Sequence, residues 1–335
     1  MTPEIVLTGI KPTGTPHLGN WVGAIRPAVA LSHDPRRRAL YFIADYHALT
    51  GLKNAEELKT YTYSVAAAWI ALGLDPERVI FYRQSDIPEV FELAWVLACF
   101  TPKGLMNRAH AYKAAIQKNQ EAGESDLDAG VNMGLYTYPI LMAADILLMN
   151  ARAVPVGSDQ QQHVEIARDI AQYVNRQYRA EIFTLPEALI DEQGAVIPGL
   201  DGRKMSKSYR NTIPIFAPPE ELRKLVFRIA TDSSRPGEPK DPEASTIFQL
   251  YRLLATPEET AAFRRAYEAG IAWKDAKEAL YALLEERLRD PRARYQELVQ
   301  NRAALDRIFE AGATAAREIA GDTLKRVRQA VGIAR

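Results

Sequence analysis

The 335-residue sequence has one cysteine, no long apolar run and no excess of charge, since 42 Lys and Arg balance 42 Asp and Glu. A single thiol excludes internal disulfides and any cysteine-rich zinc or iron–sulfur site. Cys99 lies in the apolar stretch AWVLACF, which reads as a buried structural thiol. A membrane-spanning helix needs about 18 or more apolar residues in succession, and no run approaches that. The opening MTPEIVLTGIKPTG lacks a basic stretch followed by an apolar core, so it does not read as a secretory signal and a cytoplasmic protein is expected. A GxxxxGK[ST] phosphate loop, internal repeats and low-complexity tracts are absent as well.

What is present is an ordinary globular composition, 47% apolar and 25% charged. The length suits two domains, or one large α/β domain with an appendage. Charge is unevenly spread. Residues 201–335 hold 25 Lys and Arg against 20 Asp and Glu, a net of +5, which leaves −5 for residues 1–200. A modest positive bias is compatible with a transient polyanion such as tRNA, although helical faces rich in Arg and Glu are also commonly just solvated.

Strand-like and helix-like segments alternate through the first half. Glu4-Ile5-Val6-Leu7-Thr8-Gly9 predicts a short buried strand, followed by a Gly/Pro-rich turn at 10–16 and a helix over 18–31. Strand, turn and helix in that order open a nucleotide-binding α/β fold. Arg36-Arg37-Arg38 falls in a loop before a second strand at 39–45. A helix over 55–72 stops at Gly73-Leu74-Asp75-Pro76, and Val79-Ile80-Phe81-Tyr82 makes a third strand. The alternation implies a parallel sheet. Helical spacing returns at 88–100 and 137–149, around a polar stretch at 118–134 expected to be a mobile surface loop. Residues 152–157 read as another buried strand. Ser158 with Gln161 reads as a capping box that opens a helix through 175. From 218 onward the pattern is helical, with breaks near 236–242, Thr256-Pro257, Asp290-Pro291 and Gly312.

Two distant segments carry the chemistry. Lys204-Met205-Ser206-Lys207-Ser208 follows the turn Pro198-Gly199-Leu200-Asp201-Gly202 and suits a mobile loop that closes on phosphate; alone it equally suits a solvated basic loop. Far upstream stands Pro16-His17-Leu18-Gly19-Asn20. There Gly14 and Gly19 allow close backbone approach, a helix N-terminus offers N–H groups to an anion, and His17 supplies a donor. In this order the two resemble the nucleotide signatures of class I aminoacyl-tRNA synthetases. With Gly9-Ile10-Lys11-Pro12-Thr13-Gly14, and with the blocks Tyr138-Pro139-Ile140-Leu141-Met142-Ala143-Ala144-Asp145-Ile146-Leu147 and Val154-Pro155-Val156-Gly157-Ser158-Asp159-Gln160-Gln161-Gln162-His163, the sequence is similar to the tryptophanyl-tRNA synthetase family from about residue 5 to the C-terminus.

The resemblance implies an α/β protein. Its Rossmann-like parallel-sheet catalytic domain would span 1–215, including the basic loop. An all-α anticodon-binding domain would span 216–312, and a C-terminal helix at 313–335 would pack back toward the catalytic domain. It implies ATP and L-tryptophan as substrates, Mg²⁺ as cofactor, tRNA(Trp) as acceptor and a homodimer that binds tRNA across subunits. Asp145 becomes the specificity residue. A carboxylate among Met142, Ala143, Ala144, Ile146 and Leu147 is costly to bury unpartnered, and the tryptophan indole N–H is a donor that an acceptor-only group fits. Leu7, Met142, Val154 and Val156 would line the indole slot, as they would also line an ordinary core; Leu7 stands where some relatives carry an aromatic. Tyr138 and Gln160 match positions that hold the α-amino group. Gly157, Ser158 and Asp159 match the ribose contact, and Ile197 would pack on adenine. Lys11, Pro12, Thr13, Gly19 and Asn20, with Met205, Ser206 and Ser208, belong to the nucleotide loops. Asn20 replaces the second histidine of the general class motif.

The implied chemistry needs no protein nucleophile. His17, with Lys11, would stabilise the α-phosphate region, and Lys204 and Lys207 would neutralise departing pyrophosphate; Lys113 is a further phosphate candidate. A tyrosyl-tRNA synthetase shares the fold and signatures, and a nucleotidyl-transferring paralogue that does not charge tRNA is the alternative of another kind.

Overall fold

A computed structural model describes residues 3–190 and 197–333. Five strands, β1 (Glu4–Ile10), β2 (Arg37–Ile43), β3 (Ile80–Arg83), β4 (Ala153–Val156) and β5 (Glu187–Ile190), form one parallel sheet in the order β3-β2-β1-β4-β5. The chain builds outward from β1 to β3, then returns to the other side of β1 to add β4 and β5. β1 pairs with β2 along its whole length, from Glu4↔Arg37 to Ile10↔Ile43. With β4 it pairs at Val6↔Ala153. Pro155 has no N–H to give to a ladder, and its carbonyl instead accepts from the Thr8 hydroxyl at 3.3 Å. The reversal of winding therefore falls at a thinly paired seam. Open α/β sheets bind ligands at such a point, beyond the carboxyl ends of the strands.

Side chains alternate between the two faces with the strand period of two. Leu7, Leu40, Phe42, Tyr82 and Val154 join one core cluster, which includes residues of the helices Glu89–Phe100, Met133–Leu148 and Gln161–Tyr178. Val6, Ala39, Tyr41, Ile43, Phe81 and Ala153 join another, with Val65, Ala66, Ala67 and Trp69 of the helix Ala55–Ala71 and Phe309 of the helix Arg302–Val331. Beyond Pro218 come the helices Pro219–Phe227, Thr246–Arg252, Pro257–Glu268 and Trp273–Gln300, whose apolar faces share a third cluster with Leu18, Val22, Ile197 and Met205. Tyr295 joins the halves: its ring stacks on Phe216 at 4.0 Å and its hydroxyl lies 2.8 Å from that of Ser64. Among the described residues no helix is long and apolar enough to cross a membrane.

Several local expectations change. Cys99 is exposed, because the apolar segment 93–99 is helical: Leu93, Val96 and Leu97 turn inward while Phe91, Trp95 and Cys99, at i, i+4 and i+8, turn out. Ser158 does not cap a helix; it opens the 3₁₀ turn Ser158–Gln160, and the helix that follows starts at Gln161 without a side-chain cap. Arg37 and Arg38 belong to β2 rather than a loop. β5 was not anticipated, since Glu-Ala-Leu-Ile favours helix on propensity and extends only by pairing with β4. The stretch 118–134 is exposed but fastened: Asn119 donates to the carbonyls of Leu127 and Ala129, and Tyr112 to Asp128.

Neither Pro291 nor Gly312 breaks its helix. At Gly312 the helix Arg302–Val331 approaches edge strand β3 so closely that a Cβ would stand 2.0 Å from the carbonyl oxygen of Phe81. The contact is backbone on backbone, so no side chain can yield. Phe309 supports it by packing on Phe81 at 5.6 Å and under the Arg83 guanidinium at 4.8 Å. We expect Gly312→Ala to lower stability by about 3 kcal/mol, as overpacking against fixed backbone does; denaturant unfolding would measure it, and a loss below about 0.5 kcal/mol would contradict this packing.

Candidate active site

The carboxyl ends of β1 and β4 face the segment that carries the two lysines, and specific contacts bring the distant pieces together. The Lys207 ammonium donates to the carbonyl of Thr13 at 2.9 Å. Gly14, at φ +116, leaves room for it, since a Cβ there would stand 3.0 Å from Lys207 Nζ. Met205 is buried, and the N–H of Gly19 points at its sulfur at 3.3 Å. The Met205 N–H donates to the Ile197 carbonyl at 2.8 Å, and the Leu18 N–H to that of Ile213 at 2.9 Å. The Asn20 side chain accepts from the His17 N–H at 3.1 Å, closing the turn at the start of the helix. That helix continues to Ser32 through a π-helical segment, Trp21–Ile25.

The basic loop is held in shape from within by Asn211, which is 2% exposed. Its Oδ1 accepts from the Ser206 N–H at 2.8 Å, and its Nδ2 donates to Asp201 at 2.7 Å and to the Lys204 carbonyl at 3.2 Å. The bond from Asn211, with help from Arg203, holds the Asp201 carboxyl at about 2. Ser206 accepts from the Ser208 N–H at 3.3 Å, which starts the turn Lys207–Tyr209.

Of three ionisable groups at this edge, His17 is buried, and Lys11 and Lys207 are exposed but partly shielded by their neighbours. This partial desolvation lowers the proton affinity of Lys11 and of Lys207. Burial, with the nearby charge of Lys207, lowers His17 to about 4, so its imidazole is neutral near pH 7 and offers one N–H. His17 Nδ1 is buried without a partner among the described residues. Desolvated donors of this kind are stabilised by an incoming anion.

Beside this edge, Tyr138, Met142 and Asp145 fall at i, i+4 and i+7 on the helix Met133–Leu148, one stripe facing the end of the sheet. Leu7 and Val154 are buried, and Met142 and Val156 half-buried, in one cluster with Phe42. The Phe42 ring stacks on Tyr82 at 5.5 Å and fills the space over Gly9. Tyr138 Oη lies 2.5 Å from His163 Nε2, with the Lys11 ammonium 5.2 Å over its ring. Beyond β4, Gly157, Ser158, Asp159 and Gln160 are exposed, and Asp159 folds back over Gly157.

Asp145 departs from expectation. It is 5% exposed, but it is not waiting for a ligand to pair with. His47 Nε2 donates to its Oδ2 at 2.9 Å, and Gln84 Nε2 reaches both oxygens at 2.9 Å. Burial raises its proton affinity, and these two partners oppose the rise. The carboxylate is therefore not bare in the absence of a ligand, contrary to what the sequence alone suggested.

Among the other candidates, Pro12 is buried, and Lys204 and Ser208 are exposed, Lys204 with its ammonium unpartnered among the described residues. Sequence reasoning missed His47, Gln84, Phe42 and Asn211. His47 and Gln84 each lie just past the end of a strand, β2 and β3, which is the one signal that marks them.

Residues 2–289 match the family of class I tRNA synthetases (W and Y). The chain is 54% identical over 333 residues to a tryptophan-tRNA ligase of Neisseria meningitidis, covering 99% of each chain. To that of Xanthomonas campestris it is 55% identical over 329 residues, 98% of this chain and 76% of the relative. The solved tryptophanyl-tRNA synthetase of Campylobacter jejuni, complexed with ADP and tryptophan, superposes with a TM-score of 0.88 at 43% identity over 98% of this chain and 99% of that one.

The depressed His17 has a measurable consequence. Its folded value, about 4, lies below its ordinary 6.5, so between these the unfolded chain binds the proton that the folded chain refuses. Its effect on stability is absent above pH 6.5 and becomes a loss as pH falls toward 4. We expect NMR titration to find a His17 ring still neutral at pH 5.5, with Lys207→Ala raising its value; titration at the ordinary histidine value would contradict the buried setting.

Proposed function

Because the chain belongs to the class I tRNA synthetases of the tryptophan and tyrosine family, we propose that it activates L-tryptophan with ATP and attaches it to tRNA(Trp). The observation that carries this reading is the meeting of two segments far apart in sequence, Lys207 on Thr13 and Met205 on Gly19, beyond the end of β1. It joins a site for a polyphosphate to a site for an apolar side chain with one N–H.

The tryptophan carboxylate attacks the α-phosphorus in line, forming a P–O bond as the bond to the bridging oxygen breaks and pyrophosphate leaves. The 2′- or 3′-hydroxyl of the terminal adenosine of the tRNA then attacks the carbonyl of the adenylate, and AMP departs. Catalysis is positioning and charge stabilisation. His17, neutral and short of a partner, donates near the α-phosphate with Lys11. Lys204 and Lys207 take the charge of pyrophosphate. Asp159 and Gly157 receive the ribose, Ile197 the adenine, and Tyr138 and Gln160 the α-amino group. A carboxylate accepts about four hydrogen bonds; His47 and Gln84 leave Asp145 Oδ1 room for the indole N–H. Among the described residues no three His, Cys, Asp or Glu are grouped to hold a metal. Mg²⁺ would ride on the triphosphate, as it commonly does, and reduce the charge of the leaving group.

The exposed apolar stripe Phe91 and Trp95, with Tyr46 packed on Phe91 at 4.6 Å, supports a homodimer. Trp95 is 73% exposed, an unfavourable setting for a lone surface indole. A cytoplasmic location follows from the tRNA substrate.

Pyrophosphate exchange with each amino acid tests the reading. We expect exchange with tryptophan and not tyrosine. Lys207→Ala should slow it by about 10²-fold with tryptophan affinity little changed, since the contact strengthens in the transition state. Asp145→Asn should raise the KM for tryptophan by about tenfold or more. Exchange with tyrosine alone would point to the sister activity, and exchange without tRNA charging to a paralogue. Trp95→Asp should yield monomers in analytical ultracentrifugation; an unchanged dimer would move the interface elsewhere.

A further inference from the structure

Gln162 grips a helix that little else holds. It sits in the first turn of the helix Gln161–Tyr178, its Oε1 accepting from the His110 N–H at 2.8 Å and its Nε2 donating to the Arg108 carbonyl at 3.2 Å. A primary amide matches the N–H and C=O of an extended backbone, so one side chain fastens the corner that leads into the helix His110–Glu121. That helix has no buried residue, and Ala109 gives it no side-chain cap. The N–H that Gln162 takes is one of the donors a helix start leaves unsatisfied. Its remaining ties run to Tyr136, through Asn107 at 2.8 Å and a ring contact with Tyr112 at 5.0 Å, and to its own following turn.

Through Gln162 the start of this helix is tied to the turn that carries Asp159 and Gln160. The charge of His110 reaches His163 strongly enough to help lower its proton affinity, as does that of Lys11. His163 in turn bonds Tyr138. Lys113 follows His110 at i+3, on the same helix face. Gln162 lies two residues from Gln160 and three from Asp159, so it links the exposed edge beyond β4 to the basic first turn of the neighbouring helix.

We propose that Gln162 is a positioning residue for the nucleotide half of the reaction, holding His110 and Lys113 against the Asp159–Gln160 edge so that the phosphates of ATP meet a wall already in place. This rests on the reading of the site as one that activates an amino acid with ATP. Gln162 touches no substrate in this scheme. It acts through the helix it holds, whereas Met142 and Asp145, which meet the tryptophan side chain in this reading, stand on the helix Met133–Leu148.

Pyrophosphate exchange, varied separately in ATP and in tryptophan, separates these roles. Gln162→Ala should raise the KM for ATP by about tenfold, the worth of two modest hydrogen bonds, and leave the KM for tryptophan within about twofold. Gln162→Glu keeps the acceptor for the His110 N–H and loses the donor to Arg108, and should fall between. His110→Pro removes the N–H that Gln162 uses yet suits a first helical position; His110→Ala keeps that N–H. The proline variant should show the higher KM for ATP. An unchanged KM for ATP in Gln162→Ala, or an equal rise in both constants, would overturn the proposal. Should Gln162→Ala fail to fold, equal constants for the two His110 variants would overturn it, and a higher KM for ATP in the proline variant would support it. If the unaltered protein does not exchange with tryptophan, the functional reading falls and this inference with it; normal exchange with an indifferent Gln162→Ala removes the inference alone.

Discussion

The pairing of β1 with β4 is the constraint on which the rest depends. β1 is fully laddered to β2, but β4 meets it at one residue pair before Pro155 ends what the backbone can offer. The sheet reverses its winding at that seam, and the strand ends around it carry nearly everything that matters chemically. Lys11 to Asn20 follow β1, His47 follows β2, Gln84 follows β3, and Gly157 to Gln160 follow β4. A fuller ladder at this point would close the crevice into which a nucleotide and an amino acid must both fit.

Two different solutions to desolvation stand side by side in the crevice. At Asp145 the charge is satisfied from within: the carboxylate is buried but paired by His47 and Gln84, so its orientation is set before any ligand arrives. Beyond the end of β1 the donors are left wanting. Lys11, Lys207 and His17 have their charged forms disfavoured by partial desolvation, and among the described residues the Lys207 ammonium has only the Thr13 carbonyl. A rigid acceptor suits discrimination between side chains of similar size. Unsatisfied donors suit a triphosphate whose charge must be met most strongly as it redistributes.

Much of this was legible in sequence wherever the signal was local. The parallel sheet and the position of the first turn follow from periodicity and short motifs, whereas Tyr138, Met142 and Asp145 were marked only by the family resemblance. Failures came where a local rule met a tertiary partner. Gly312 looked like a helix break and is instead a point of backbone contact with β3. Cys99 looked buried because its segment is apolar, yet the helix turns that face outward. β5 left no sign in sequence because its strand character comes from β4 rather than from its own residues.

What the sequence by itself determined is the chemical inventory and its order: the glycines and histidine of the first turn, the paired lysines, and one aspartate in an apolar helix. Those are properties of residue type and spacing, and they survive any folding of the chain. Tertiary structure alone decided who partners whom. No spacing rule connects Asp145 to His47 and Gln84, or Ser206 to Asn211 and Lys207 to Thr13 in a particular geometry, because each contact forms only when separate strands end at the same edge of one sheet.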